Sequence, residues 1–254
     1  MSDEVLMTCG DGVAVVPLNR PAVRNAVNRA AAEAIARAMD ELDSRADLRV
    51  GILTGAGGIF SSGMDLKAYL HGEIPVIDGR GFAGLVERPP EKPLIAAVEG
   101  HAVAGGFELA LACDLIVAAE DARFGLPEVK RGLIAAGGGL LRLPRQMPYR
   151  RALEMALTGD TITAGEALAF GLINRVTSAG GALEGAMALA RAIVANGPLA
   201  VAASKRVLRE APDWPGDTMF ARQQEIAERA LNSADAREGA AAFVEKRAPR
   251  WRGE

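Results

Sequence analysis

Three runs of this 254-residue chain, Val50–Thr54, Leu94–Val98 and Leu115–Ala119, are apolar almost without a break. A strand with one face in water alternates apolar and polar residues, so a run that is apolar throughout predicts a strand covered on both faces. A helix-like segment from Gly105 separates the second run from the third. Strand–helix–strand alternation of this kind predicts α/β units. Ahead of them, residues 4–8 and 12–18 are β-rich runs around Asp11-Gly12, a hairpin signal. Residues 28–44 carry Ala30, Ala34, Ile35, Ala38 and Leu42 on one face at helical spacing. Residues 71–82, broken by proline and glycine, read as a mobile loop. Beyond residue 145 the pattern turns helical, over 148–158, 163–169, 181–196, 198–210, 217–231 and 234–247. The last of these starts at Ser233, a capping residue, with Asp235 behind it.

Half the residues are hydrophobic and 24% are charged, enough to bury a substantial core in one large domain or one domain with a helical appendage. The net charge of −3 leaves no basic footprint for nucleic acid. Two cysteines, Cys9 and Cys113, and two histidines cannot make a disulfide framework or a Cys/His metal cluster, so no metal is expected. Few cysteines and an acidic start, M-S-D-E, point to a cytoplasmic protein without a secretory signal. No apolar stretch reaches the roughly 18–20 residues of a membrane span, so no membrane partner is expected.

The chemistry concentrates between Ala104 and Glu128. Glu108 and Glu128 lie 20 residues apart in apolar surroundings. A carboxylate there is costly unless it is paired, hydrogen-bonded or used. Glu108 follows Gly105-Gly106 at a helix start, where free amides and the helix dipole favour negative charge; the same glycines would also serve a tight turn. Phe60-Ser61-Ser62-Gly63-Met64-Asp65 reads either as a strand-to-helix connection capped by Asp65 or as the source of a second amide, from Met64, facing that of Gly105. Two converging amides would form an oxyanion hole. Glu128 follows Pro127 and could serve only a helix dipole. Gly55–Gly58 lacks the third glycine of a dinucleotide fingerprint. Ser61 and Ser62 lack a hydrolase nucleophile elbow. His101, in an expected turn, His71 and Asp114 read as structural or solvated.

These segments, in this order, resemble the crotonase superfamily, the enoyl-CoA hydratase/isomerase family. The resemblance rests on N-R-P-A-V-R-N-A-V at 19–27, F-S-S-G-M-D-L-K at 60–67, K-P-L-I-A-A-V-E-G at 92–100, A-G-G-F-E-L-A-L-A-C-D at 104–114, F-G-L-P-E at 124–128 and T-G-D with A-x-x-A-x-x-x-G-L-I at 158–173. It covers nearly the whole chain. It implies an α/β crotonase (ClpP/crotonase-like) fold of repeated ββα units over 1–195, with a helical C-terminal trimerisation region over 196–254. Self-association as a trimer or a dimer of trimers would follow. The ligand would be an acyl-CoA thioester, coenzyme A being part of the substrate rather than a separate cofactor.

Residue by residue, the resemblance makes Glu108 and Glu128 the catalytic pair and the backbone amides of Met64 and Gly105 the oxyanion hole. Arg24, Asn25 and Ala26 match the stretch lining the CoA nucleotide pocket. Asp65 and Leu66 match positions beside the thioester, Gly106 is counted among the substrate- and CoA-binding residues, and Lys246 is a candidate for the CoA phosphates. Retention of both glutamates favours hydration of a 2-enoyl-CoA, or the reverse dehydration. Segments including L-R-L-P at 141–144 and A-F-V-E-K-R-A-P-R-W at 242–251 resemble the crotonobetainyl-CoA hydratase (carnitinyl-CoA dehydratase) branch. An isomerase, a thioester hydrolase and a non-catalytic acyl-CoA-binding protein are the other readings. Two departures from the family stand out. Met64 replaces a small residue, and G-L-I-A-A-G-G-G at 132–139 lacks a usual proline, which leaves acyl-chain length open.

Overall fold

A computed structural model describes residues 4–254; Met1–Asp3, part of the acidic start, lie outside the described residues. The chain opens with a hairpin of β1 (Thr8–Gly10) and β2 (Val13–Leu18), paired Thr8 to Val15. Its turn is Asp11-Gly12, both at positive φ (51° and 79°). The first strand starts later than the expected 4–8, with Val5 making only an isolated bridge to Leu18. Next come α1 (Arg29–Ser44), β3 (Val50–Gly55), α2 (Leu66–Leu70), β4 (Val76–Ile77) and β5 (Gly81–Phe82). β6 (Leu94–Val98), β7 (His101–Val103), α3 (Gly105–Ala112), β8 (Leu115–Ala119) and β9 (Arg123–Gly125) follow. The remainder is α4 (Gly139–Gln146), α5 (Tyr149–Thr158), β10 (Thr161–Thr163), α6 (Ala164–Ala169), β11 (Arg175–Thr177), α7 (Ala182–Val194), α8 (Pro198–Glu210), α9 (Met219–Leu231) and α10 (Ala234–Glu245).

The large sheet runs β1-β2-β3-β6-β8-β11 and is parallel except for β1. Its apolar strands are covered on both faces, as their composition requires. Leu53, Ala96 and Ala118 pack with α1 and α3, while Ile52, Ile95 and Val117 pack on Ala182, Ala186 and Ala190 of α7. Helix α1 starts where Asn28 accepts the Ala31 N–H, and it buries Ala31, Ile35, Met39 and Leu42. No single helix among the described residues is long and apolar enough to cross a membrane.

A small second sheet, β10-β9-β7, positions the chemistry. Strand β6 passes through Gly100, at φ 56°, directly into β7, and α3 follows; β8 leads into β9 and a short 3-10 turn, Pro127–Arg131. Strand β3 leads to Ser61, which bridges Ala102 of β7, and then to α2. A strand in each sheet followed by a helix or turn is the ββα unit, here three times over.

Several expectations are corrected. His101 opens β7 rather than lying in a turn. Residues 71–82 hold the β4–β5 hairpin, tied to α1 by an ion pair of Arg80 with Asp40. Helix α4 lies outside the segments whose pattern is helical, and α10 ends at Glu245, two residues early, with Lys246 in the left-handed region.

Candidate active site

Three parallel segments set the site. Ser61 pairs with Ala102, and Ala102 pairs with Phe124. Three residues beyond Ser61 and Ala102 lie Met64 and Gly105; four beyond Phe124 lies Glu128. The common register therefore delivers all of them to one end of the small sheet. Glu108 joins them from the first turn of α3.

Met64 and Gly105 both have N–H groups without a backbone carbonyl partner among the described residues. Their segments touch closely. A Cβ at Gly63, which has φ +90°, would come within 2.6 Å of the Gly105 nitrogen, and one at Gly106 within 2.2 Å of the Ser61 carbonyl oxygen. The Ser61 hydroxyl donates to the Asn25 carbonyl (2.8 Å) and accepts from the Gly63 N–H (3.1 Å). Val27 bridges Met64 on the other side, its N–H donating to Gly63 O at 2.7 Å.

Arg24, Asn25 and Ala26 thus run beside the Met64 segment. Arg24 and Asn25 are in the left-handed region, at φ 56° and 52°. The Asn25 side chain is consumed internally, donating to Ala56 O and Ile59 O and accepting from the Arg20 N–H. Asp65 caps α2 by accepting from Lys67 and Ala68, and it pairs with Arg20 at 3.0 Å. Burial pushes its carboxyl up, but the Ala68 amide, Arg20 and the Lys67 amide hold it below the ordinary range. Leu66, the first residue of α2, is partly exposed. Lys246 sits at the far end of α10.

Both glutamates are buried, Glu108 to 4% and Glu128 to 9% exposure. Their surroundings differ. Glu108 Oε1 accepts the Gly139 N–H at 2.9 Å, a donor 31 residues along the chain. Within its own helix Glu108 has nothing to pair; its partner is the first residue of α4, which residue spacing did not reveal. Burial raises its pKa, while the Gly139 and Gly137 amides and Arg142 pull it back. Glu128 Oε2 has no hydrogen-bond partner among the described residues. Burial, reinforced by the Glu108 charge, pushes Glu128 up to about 7, against a weaker pull from its own backbone N–H and Arg131. The amide donors and Arg142 favour charge on Glu108, whereas burial and the Glu108 charge favour a proton on Glu128. No group of three or more His, Cys, Asp or Glu among the described residues is placed to hold a metal.

Two buried carboxylates beside paired free amides at a helix N-terminus suit proton transfer next to a developing oxyanion. A family model for enoyl-CoA hydratase/isomerase matches residues 8–254. The chain belongs to that family. Within it, the chain is 58% identical to an enoyl-CoA hydratase, EchA1, from Mycobacterium marinum, with a TM-score of 0.98 and complete coverage of both chains. It is 43% identical to a carnitinyl-CoA hydratase from Mycobacterium avium, with a TM-score of 0.80 and again complete coverage. It is 42% identical to the carnitinyl-CoA dehydratase of Salmonella typhi over the full length of both. The crotonase-type fold expected from the motifs is thus present. Sequence reasoning missed Gly137, Gly139 and Arg142; the run of three glycines before a helix was their one visible signal.

Proposed function

We propose that the chain is an enoyl-CoA hydratase, a hydro-lyase that adds water reversibly across the double bond of a 2-enoyl-CoA. The observation that carries this reading is the shared register of Ser61, Ala102 and Phe124, which brings two unpartnered amides and two buried carboxylates to one place. The thioester oxygen sits between the Met64 and Gly105 amides, so Cβ becomes electrophilic. Glu108, kept charged by its amide donors, takes a proton from water as the water oxygen bonds to Cβ. Glu128 gives its proton to Cα as the enolate collapses. The proton on Glu108 then returns to Glu128 through the site, which closes the cycle without a change of redox state. Coenzyme A enters only as part of the substrate. Arg24, Asn25 and Ala26 flank its nucleotide, and Asp65, Leu66 and Gly106 flank the thioester.

Acid–base help of this kind is worth roughly 10²–10⁴-fold. Glu108→Gln and Glu128→Gln are each expected to lose that much turnover of crotonyl-CoA, followed as loss of the enoyl-thioester absorbance. Release of free CoA, or migration of a 3-enoyl double bond, faster than hydration would instead support a thioester hydrolase or an isomerase. Tight acyl-CoA binding with no turnover would support a binding protein.

A second reading, hydration of crotonobetainyl-CoA, draws on the relatives named for carnitinyl-CoA chemistry over their whole length. Preference for crotonyl-CoA over crotonobetainyl-CoA would exclude it. Assembly into trimers or hexamers and a cytoplasmic location complete the proposal, together with a division into a core at 1–195 and a helical region at 196–254.

A further inference from the structure

The loop Gly137-Gly138-Gly139 lies between two charges. On one side is Glu108: a Cβ at Gly137 would stand 2.6 Å from its Oε2, and the Gly139 N–H bonds its Oε1. On the other side is Arg142, on the first turn of α4: a Cβ at Gly138 would stand 2.2 Å from its Nη1. One peptide layer thus separates the guanidinium from the carboxylate. Arg142 is half-buried, and the hydrogen bond it makes among the described residues is to the Val86 carbonyl, the segment that follows β5. No carboxylate among the described residues lies within ion-pair distance of it. A half-buried cation with one neutral acceptor is costly unless a nearby negative charge compensates it. Glu108 is that charge: burial holds the Arg142 guanidinium below its ordinary pKa, and Glu108 opposes that lowering, with a contribution from Cys113 and opposition from Arg209 of α8. Glu108 in turn faces Glu128, which has Arg131 beyond it.

We propose that Arg142 is a positioning residue for hydration: acting across the triglycine loop, it holds Glu108 charged and its carboxylate seated on the Gly139 amide. This rests on the hydratase reading for its effect on rate, but not for its effect on Glu108. The competing role is purely structural, with Arg142 only pinning α4 to Val86.

Arg142→Gln separates the two, because it removes the charge, whereas loss of a purely structural tie to Val86 lowers the rate equally at all pH values. Its acid limb of kcat/KM should move to higher pH, read as a loss of about ten-fold near pH 6 but less than about three-fold near pH 8.5. Arg142→Lys, which keeps a charge, should restore the limb. Arg142→Met serves if the Gln variant does not fold. A loss that is equal at all pH values, or that Lys fails to relieve, overturns the proposal. Carboxyl carbon-13 titration of Glu108, assigned with Glu108→Gln, tests the same charge without turnover: an unmoved midpoint in Arg142→Gln sinks the idea. If wild type hydrates no enoyl-CoA, the hydratase reading fails, and this titration alone decides on Arg142.

Discussion

Glu128 carries a cost that its proposed role explains. A carboxyl moved from its ordinary 4.5 to about 7 favours the fold only in its neutral form. The sign follows from linkage: no penalty exists below about pH 4.5, it grows through the window up to 7, and it is constant above. Glu128→Gln should therefore stabilise the protein by about 2 kcal/mol at pH 8, and change little near pH 4.5, in urea melts at the two pH values. A variant that gains stability while losing turnover would mark the site as strained for use. Ala104 is a second strained point. It sits immediately before Gly105 at φ 52°, ψ −133°, a region open mainly to glycine. Ala104→Gly should raise stability by about 1 kcal/mol, the relief of strain exceeding the entropy gained by the unfolded chain. At this scale the sequence was informative where chemistry and context clash. Glu108 and Glu128 stood out as carboxylates in apolar runs, whereas Arg142 did not, because its partner across the triglycine loop is far away in the chain.

Among elements, legibility followed length. The four inner strands of the large sheet, β2, β3, β6 and β8, announce themselves by five or six residues that are apolar almost throughout, and α1 by its period, whereas the edge strands β1 and β11 have three residues each. Strands β7, β9 and β10 have three residues each, too few for any period to register. Yet these short strands bring the site together. Helix α4 was hidden because it begins with glycine and contains Pro144. The glycines near helix starts are not equivalent, and this can be tested. At Gly106 a Cβ would overlap the Ser61 carbonyl, where backbone cannot yield. Gly106→Ala should cost about 3 kcal/mol or more. At Gly165 in α6 the nearest atom is the Thr163 hydroxyl at 3.9 Å. Gly165→Ala should therefore stabilise by about 0.5–1 kcal/mol through helix propensity, read from the same denaturation curves.

Over the whole molecule, the helical region is fastened to the sheet by specific polar ties. Lys205 of α8 reaches Pro90 O, Lys92 O and Asp114. Trp251 ties the C-terminal segment to Ala195 O at the end of α7, and within the helical region Asp235 accepts the N–H groups of Arg252 and Gly253. What these helices leave uncovered is apolar: Leu208, Phe220, Leu231, Phe243 and Val244 are each at least 63% exposed. Such a surface is expected on a subunit rather than a monomer. Sedimentation equilibrium should return three or six times the 26.5 kDa chain mass, and a monomer at micromolar concentration would reject the assembly. The strand order of the large sheet has a consequence of a different kind. From β1 to β11 each strand is laid beside one made earlier, never inserted between two already paired. On a ribosome, every new strand therefore meets a finished edge, and no completed pairing has to open to admit a later one. Growth of the sheet can keep pace with synthesis, with β1 fixed as one edge and a single growing edge opposite it to shield from neighbouring chains.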